Sequence, residues 1–439
     1  MDRDICERPF PGPLVPCLWG TEWRHVKNLT PPVVDSLAKQ TGALQRRRVI
    51  RSATDLLRLV LAYAVNDMPL DQTSHWASLI RLGRLSSVAT WKRLSKCEPF
   101  LRQLIAAWMQ DRAGALPVRR ARLRVVDASA ICVPGAKGTS YRLHVGLDLE
   151  TLCLDHVELT DGRGGESLLR HTFQPGDIAI GDRGYAHAAG IGFSLSSKGV
   201  SLVVRVPWQS LRCETDSGNR LDLVRWLKGL PKGSSGELNV LLPTPQGTLR
   251  VRVIAYPQPE EVAQAERKRA EKESRKKNHK PQEGTQVAAG FIILLTDLPP
   301  AIWTAEQVLE VYRWRWQVEL AFKRLKSILS LDGLRTECGA LSEVYLLGKL
   351  LATLILDAWI ADIKARDAVA SANRKRTLKH WFLTRYLLDH LRSIIRGPVP
   401  LEGILAWDPK LDRYIREGPR KRQPQAEAIG ARLRVLNAA

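Results

Sequence analysis

The chain has 439 residues, with 67 Lys and Arg against 45 Asp and Glu, so its formal net charge is +22 at pH 7. That length predicts about three domains, and hydrophobic residues at 44% with charged residues at 26% are ordinary globular values, which exclude wholly disordered and collagen-like chains. A positive balance this large favours a polyanionic partner, nucleic acid first, over a basic protein with no specific partner.

Cysteine usage and the N-terminus indicate a cytoplasmic protein. The seven cysteines form no C-x-x-C pair, which argues against a zinc ribbon or a disulfide framework and favours a reducing compartment. The N-terminus, MDRDICERPFPGP, has acidic residues and prolines where a signal peptide needs basic residues and then an apolar stretch. The most apolar stretch, 345–363, is interrupted by Lys349, Asp357 and Asp362, so we expect a buried core helix and no membrane partner.

The first quarter of the chain has a helical pattern. Residues 1–28 lack periodicity and predict an irregular arm, whereas apolar residues between 56 and 64 recur on one helical face. A short helix is predicted from Leu70 to Ile80 and another from Ser86 or Ser87, with Gly83 between them. This arrangement, with outward basic side chains on the second helix, resembles a helix-turn-helix, although short helix pairs occur in most all-α domains.

Strand patterns begin near Arg119. Three apolar, β-branched segments (122–133, 140–149 and 151–159) are joined closely enough for an antiparallel meander. A short helix is predicted over 166–173 and a fourth strand over 177–181. The order β-β-β-α-β is that of a ribonuclease-H-like core, although spacing alone leaves other mixed α/β folds open.

Strand patterns return between residues 201 and about 297, joined by turns rich in Gly and Pro. Between these strands, residues 260–280 form a charged segment with a helical pattern. A solvated, exposed helix or a loop is a simpler interpretation of this segment than a DNA contact. After Pro299 and Pro300, a long helix is predicted from Thr304 to about Ser330, with further helices to about Arg396.

Two aspartates are candidates for chemistry. Asp127 lies in the middle of an otherwise apolar strand, where an ionised carboxylate is costly unless it has a partner or a function. Pairing with a buried Arg is the structural alternative. Asp182 follows the predicted fourth strand between Gly181 and Gly184, a favourable place for a ligand, although a plain turn residue would also fit.

The segment VLEVYRWRWQVELAFKRLKSIL carries the strongest pattern. At about 100° per residue, one helical stripe contains four polar residues: Tyr312, Arg315, Glu319 and Lys326. An exposed face with i,i+4 ion pairs is the common alternative. Trp, Val and Leu crowd the rest of the circumference, so we expect much of this helix to be buried.

The spacing Y-(2)-R-(3)-E-(6)-K in that segment, with an Asp in VVDAS and another in GDRGY, closely resembles the insertion-sequence 4 family of DDE transposases. The resemblance covers about Leu123 to Ile355, and every motif position is present. It implies an α/β fold: a ribonuclease-H-like mixed β-sheet catalytic core with a β-rich insertion domain, flanked by helical N- and C-terminal regions.

The sequence patterns and this resemblance together suggest five segments. These are a helical N-terminal DNA-binding region (1–115), the first part of the catalytic core (116–200), the β-rich insertion domain (201–298), the second part of the core with the Glu-bearing helix (299–360), and a helical, basic C-terminal region (361–439).

The resemblance also implies the chemistry. Asp127, Asp182 and Glu319 would be both the catalytic residues and the metal ligands. Three carboxylates share a site at neutral pH only when cations neutralise them, and oxygen-only ligands suit two Mg²⁺ ions, with Mn²⁺ as a substitute. Two such ions activate a water or a DNA 3′-hydroxyl and stabilise the leaving oxygen of a phosphoryl displacement.

Further residues would contact DNA. Arg315 and Lys326 would bind phosphates on either side of the scissile one, and Tyr312 a further phosphate or a sugar. An aromatic residue of the insertion domain, Trp208 or Trp226, would stack a flipped base. Four histidines show no metal-ligand spacing and are interpreted as structural or surface residues: His144, His156, His171 and His187.

The implied function is transposition. The protein would bind double-stranded DNA as the terminal inverted repeats of its mobile element, cleave there, and join the 3′ ends to target DNA. Synapsis of two ends implies a dimer in the active complex, and the substrate implies a cytoplasmic, nucleoid-associated protein. The alternative is a non-catalytic DNA-binding regulator derived from such an enzyme.

Overall fold

The computed structural model describes residues 23–80, 82–115, 121–210, 212–276, 278, 280, 282–370, 377–397 and 416–417. The described residues divide between two compact units. The first lies within Met1–Leu104, Glu343–Ile360 and Arg366–Gly418, and the second within Ile105–Ser342, Ala361–Ala365 and Pro419–Ala439. Of the irregular arm expected over residues 1–28, positions 1–22 lie outside the described residues, and positions 24–28 are helical.

Helices and strands alternate in blocks along the chain. The helices are α1 (Arg24–Leu29), α2 (Val34–Gln40), α3 (Ala53–Ala64), α4 (Leu70–Leu79), α5 (Ser87–Leu94), α6 (Glu98–Ala115), α7 (Ala188–Lys198), α8 (Leu223–Gly229), α9 (Glu260–Lys276), α10 (Glu283–Ala288), α11 (Ala305–Arg313), α12 (Trp316–Ser327), α13 (Gly339–Ala370) and α14 (His380–Arg396). The strands are β1 (Arg122–Ile131), β2 (Tyr141–Asp148), β3 (Leu154–Asp161), β4 (Asp177–Gly181), β5 (Ser201–Arg205), β6 (Gly236–Thr244), β7 (Gly247–Pro257), β8 (Phe291–Thr296), β9 (Thr377–Leu378) and β10 (Arg416–Glu417).

The second unit is built on one eight-stranded mixed sheet, in the order β3-β2-β1-β4-β5-β8-β7-β6. Strands β3, β2 and β1 are antiparallel neighbours, whereas β1, β4 and β5 run parallel. A meander of three strands followed by two parallel strands is the ribonuclease-H-like arrangement, so the predicted fold class is confirmed.

The central strands form because their sequences are apolar on both faces. All five residues of β4, DIAIG, are buried, and in β1 the adjacent Val125 and Val126 are both fully buried. Near-continuous apolar runs are typical of strands that are covered on both sides. In this setting Asp127, paired opposite Val145 on β2, is a polar residue in the middle of a core strand.

The β-rich segment expected over 201–298 is continuous with the core sheet. Strand β5 pairs in parallel with β4, and β8, β7 and β6 follow as antiparallel neighbours. There is therefore no break in the sheet at residue 200. Residues 343–360, expected in the second part of the core, cluster with the N-terminal helices instead. The five-segment division remains a prediction, with these two differences.

Two helical predictions are wrong. Of the helix expected over 166–173, only a three-residue 3₁₀ helix forms, at Leu168–Arg170. The long helix expected from Thr304 begins there, with Thr304 and Gln307 forming a capping box, but it is broken into α11 and α12.

The break has a local hydrogen-bonding cause. The amides of Trp314 and Arg315 bond to carbonyls three residues back, as do those of Gln317 and Val318. Bonds of this 3₁₀ type tighten the turn and change the angular position of each following residue. Tyr312 and Glu319 therefore lie on different helices, and the single four-residue stripe does not exist as predicted.

The first unit confirms the predicted N-terminal helices. The apolar face of α3 is fully buried, and α4 and α5 form where the sequence predicted them. The connection between α4 and α5, residues 80–86, is longer than the three or four residues of a standard helix-turn-helix. The helix-turn-helix interpretation of this pair therefore remains a prediction.

Helix α13 contains the most apolar segment of the chain. Within the described residues, Gly339–Asp367 is the one segment long and apolar enough to cross a membrane, but 89% of its most apolar window is buried inside the protein. This burial is typical of a core helix, which the charged residues within the apolar stretch predicted.

Candidate active site

Asp127 is held by β1 on the face that meets the start of α12. Its Oδ1 accepts a hydrogen bond of 2.8 Å from the Ala128 amide, and 15% of its side chain is exposed. Burial raises the pKa of the Asp127 carboxyl to about 7. The Ala128 hydrogen bond lowers it, the charge of Asp182 raises it further, Arg315 lowers it, and Glu166 raises it. Asp127 thus lies among other carboxylates.

Asp182 is positioned by the neighbouring strand. It follows β4, the parallel partner of β1, and is the N-cap of a short 3₁₀ helix, Arg183–Tyr185. Its Oδ1 accepts a 2.8 Å hydrogen bond from the Gly184 amide. Because β1 and β4 are parallel and Val125 pairs with Ile180, Asp182 lies level with Asp127, and the two aspartates influence one another electrostatically.

Arg315 connects Asp127 with Glu319. Its Nη1 lies 3.4 Å from Asp127 Oδ2, and its Nη2 donates to Glu319 Oε1 at 2.8 Å. Glu319 is on the first turn of α12, with 60% of its side chain exposed, whereas the Arg315 side chain is 20% exposed. The guanidinium occupies the space between the two carboxylates and partly neutralises both.

No three His, Cys, Asp or Glu side chains among the described residues are grouped closely enough to hold a metal ion. The prediction that Asp127, Asp182 and Glu319 share a metal site therefore remains a prediction. The first two lie close together, and the third reaches Asp127 through Arg315.

The other two motif residues have different surroundings. Lys326 Nζ donates to the carbonyl of Ala130 at 3.3 Å, three residues beyond Asp127 on the same strand, and its side chain is half-buried. Tyr312, near the end of α11, is 7% exposed. Burial lowers the pKa of Arg315, but Tyr312, Asp127 and Glu319 together raise it above its usual value. Arg315 and Lys326 therefore contact residues of β1, and Glu319 pairs with Arg315, despite the helix break.

Glu166 is a further acidic residue that sequence reasoning missed. A methyl group on Gly184 would lie 1.6 Å from Glu166 Oε2 and 3.3 Å from Asp182 Oδ1, so the Glu166 carboxylate rests on the Gly184 backbone beside Asp182. Burial, followed by the charge of Asp182, raises the pKa of Glu166. In the sequence, Glu166 is a single Glu after the glycines of GRGGES. It was not considered as a site residue because 166–173 was predicted to be a helix.

Two arginines were also missed. Arg183, next to Asp182, and Arg205, the last residue of β5, line a cavity of about 290 Å³ together with Trp208. Burial and then the charge of Arg205 lower the pKa of Arg183. Neither guanidinium forms an ion pair within the described part of the chain. Of the two tryptophans considered for base stacking, Trp208 lies in this cavity, and Trp226 packs against Gly236.

Three of the four histidines lie at the other face of the sheet, whereas His187 is the N-cap residue of α7. His144 pairs opposite Ala128 and so points away from the side of Asp127. His156 and His171 lie with their ring centroids 4.6 Å apart. Burial lowers the pKa of His144 and of His156 to about 4, which favours the neutral rings. This cluster is separate from the acidic residues of the candidate site.

Comparison with known proteins identifies relatives over most of the chain. Residues 119–355 match the family described as "Transposase DDE domain". The chain is 38% identical over 347 residues to "Transposase for insertion sequence element IS421" of Escherichia coli, an alignment covering 77% of this chain and 93% of that protein. It is 23% identical over 419 residues to "Transposase for insertion sequence element IS231C" of Bacillus thuringiensis subsp. berliner, covering 84% and 85%.

Among solved structures, the chain is similar to the protein in "Cryo-EM structure of piggyBac transposase synaptic complex with hairpin DNA (SNHP)". That match has a TM-score of 0.46 and 11% identity, and covers 90% of this chain and 84% of the other.

Proposed function

The chain belongs to the family of DDE transposases, and on that premise we propose that it binds the terminal inverted repeats of its own mobile element, cleaves the DNA there and joins the 3′ ends to target DNA. One observation carries the proposal. The Asp127 carboxylate is affected by the charge of Asp182 and lies 3.4 Å from Arg315, which in turn donates to Glu319, although these residues are far apart in the chain. A regulator that only binds DNA has no need of that convergence.

Divalent metal use accompanies membership of this family, and we propose two Mg²⁺ ions, replaceable by Mn²⁺, held by Asp127, Asp182 and Glu319. The side chains fit such ions in their chemistry, because the donors are all carboxylate oxygens. Burial, and then the charge of Asp182, raises the pKa of Asp127, and a bound cation would offset both effects. When bound, the ions activate the attacking water or 3′-hydroxyl and stabilise the leaving oxygen. Glu166 adds negative charge beside Asp182.

The basic residues of the site would hold the DNA strand. We propose that Arg315 and Lys326 bind phosphates on either side of the scissile one and that Tyr312 contacts a further phosphate or sugar. Arg315 pairs with both Asp127 and Glu319, so these carboxylates already compensate part of the charge that it would offer to a phosphate. Trp208, which shares a cavity with Arg183 and Arg205, is better placed than Trp226 to stack an unpaired base.

The remaining assignments concern the assembly. The N-terminal helical region would recognise the terminal repeats, and two protomers would hold two ends together in the active complex. A net charge of +22 supports association with DNA, and hence a cytoplasmic, nucleoid-associated location.

The proposal is tested with a labelled duplex that carries the inverted repeat flanking the gene. We expect the purified protein to nick this duplex at the repeat boundary in Mg²⁺ and to lose that activity when a chelator removes the metal. Nicking should resume when Mg²⁺ or Mn²⁺ is restored. Tight binding to the repeat without nicking in either metal would instead identify a non-catalytic regulator.

Substitution of Arg315 or Lys326 by Ala tests the phosphate contacts. If each residue neutralises one phosphate, the slope of log K against log salt should fall in magnitude by about 0.9 per substitution, equally on different end sequences. Measuring binding of the repeat duplex at several salt concentrations gives this slope. Arg170→Ala is the matched control, because Arg170 pairs with Glu158 on the face opposite Asp127. Two slopes equal to that of the parent protein would remove both residues from the site.

A further inference from the structure

Helix α5 presents an uncovered stripe of mixed apolar and basic side chains. Val88 and Trp91 are 61% and 41% exposed, large values for apolar residues. Lys92 is also exposed, and the spacing 88, 91, 92 places these three residues on one side of the helix. Lys96 is exposed in the turn that follows Leu94, the last residue of α5. We call Val88, Trp91 and Lys92 the α5 stripe.

The opposite side of α5 is fixed to its neighbours, so the stripe cannot turn inward. Thr90 and Leu94 are fully buried, and the Thr90 hydroxyl hydrogen-bonds that of Ser74 on α4 at 2.8 Å. The Ser86 side chain caps the helix by accepting from the Ala89 amide. The stripe is thus a rigid surface that projects from the first unit.

A second basic segment lies next to the connection that leads into this helix. A methyl group on Gly83, in the α4–α5 connection, would lie 2.3 Å from Val49 Cγ1 and 3.0 Å from the Val49 carbonyl. Val49 follows three exposed arginines at positions 46–48 and is followed by exposed Arg51. Among the described residues, Arg47 forms a loose ion pair of 3.7 Å with Asp35 and the other arginines of the segment form none, so the segment 46–51 adds a largely uncompensated positive charge.

The charge of this surface favours DNA over a second copy of the chain as the binding partner. Residues 81–97 contain five Arg and Lys and no Asp or Glu. A symmetric contact with a second copy of the chain would place this basic stripe against itself, at a repulsive cost. A DNA duplex offers the opposite charge, and its major groove, about 12 Å wide, admits one α-helix. Apolar side chains such as Val88 and Trp91 can contact thymine methyl groups there.

We propose that the α5 stripe enters the major groove of the terminal inverted repeat and reads its bases, while the arginines of segment 46–51 bind the flanking phosphates. This inference rests on the proposed function and names the element that recognises the DNA ends. Base contacts carry sequence information, whereas phosphate contacts contribute affinity to any duplex. The two groups of residues should therefore respond differently to substitution.

The experiment compares two probes, a duplex carrying the repeat that flanks the gene and a scrambled duplex of the same length and composition. For Trp91→Ala in the full chain, we expect binding of the repeat to weaken about tenfold or more, with binding of the scrambled duplex almost unchanged. Arg48→Ala should weaken both probes by the same factor and lower the salt slope by about 0.9. Phe382→Ala is the matched control, because Phe382 on α14 is similarly exposed, at 39%.

Each outcome decides between explanations. If Trp91→Ala retains the preference of the parent protein for the repeat, the stripe does not read bases and the inference is overturned. If Trp91→Ala converts a dimer into a monomer, as measured by light scattering, while the preference for the repeat is retained, the α5 stripe binds a second copy of the chain and not DNA. If the parent protein itself has no preference for the repeat, the proposed function fails together with the inference. Equal melting temperatures for Trp91→Ala and Phe382→Ala show that both variants are folded.

Discussion

Glu319→Gln should abolish strand cleavage while leaving binding to the terminal repeat nearly unchanged. The amide keeps the shape of the side chain but loses the charge that would hold a divalent cation. Because metal-assisted phosphoryl transfer gains several kcal/mol of transition-state stabilisation, we expect a rate loss of at least about 10³-fold. Initial rates of nicking on the labelled repeat duplex, with binding measured in parallel, give both quantities.

The Glu319→Gln variant should also weaken the hydrogen bond between Arg315 and residue 319. Glu319 now accepts its 2.8 Å hydrogen bond, and the amide is a weaker acceptor for a guanidinium. Glu310→Gln is the control, since Glu310 is an exposed residue on the adjacent α11 and has no part in the motif. Equal losses of cleavage and binding in Glu319→Gln would mean that Glu319 is structural.

Arg124→Met should lower the free energy of unfolding by about 3–5 kcal/mol, the cost of leaving a buried carboxylate without its partner. Arg124 is 1% exposed on β1, donates to both oxygens of Asp155 and to Asp177 Oδ2, and also bonds the Thr172 carbonyl. Met fills a similar volume but provides none of these donors. Urea unfolding followed by circular dichroism measures the change.

The control is Arg250→Ala, which breaks an exposed ion pair with Asp216 whose side chains are both 64% exposed. Exposed pairs contribute at most about 1 kcal/mol, so this variant should be close to the parent protein in stability. A similar small change in Arg124→Met would show that the network around β1 tolerates the loss of its central charge, and that Arg124 does not organise the sheet.

Local pattern was sufficient for the elements whose side-chain periodicity is strong. The buried run of β4 was predicted at its observed bounds, and the apolar face of α3 is buried as its spacing indicated. The charged helix α9 also formed where charge and periodicity placed it. The family motif named Asp127, Asp182 and Glu319 as candidates, because motif spacing is a property of the chain itself.

Other features depend on contacts between distant residues. The break between α11 and α12 lies at Trp314, which is 1% exposed, and at amides that bond to carbonyls three residues back. A periodicity argument cannot detect it, because each half is a good helix by itself. The break also separates Tyr312 from Glu319 while Arg315 still reaches both Asp127 and Glu319.

The amino-acid sequence by itself therefore determined which residues are candidates and which local elements carry them. Tertiary structure alone decided that β5 to β8 extend the core sheet, that Glu166 rests beside Asp182, and that Arg183 and Arg205 share one cavity. The physical reason is that strand pairing and electrostatic proximity join residues far apart in the chain, and their energies depend on distances in space that no local pattern encodes.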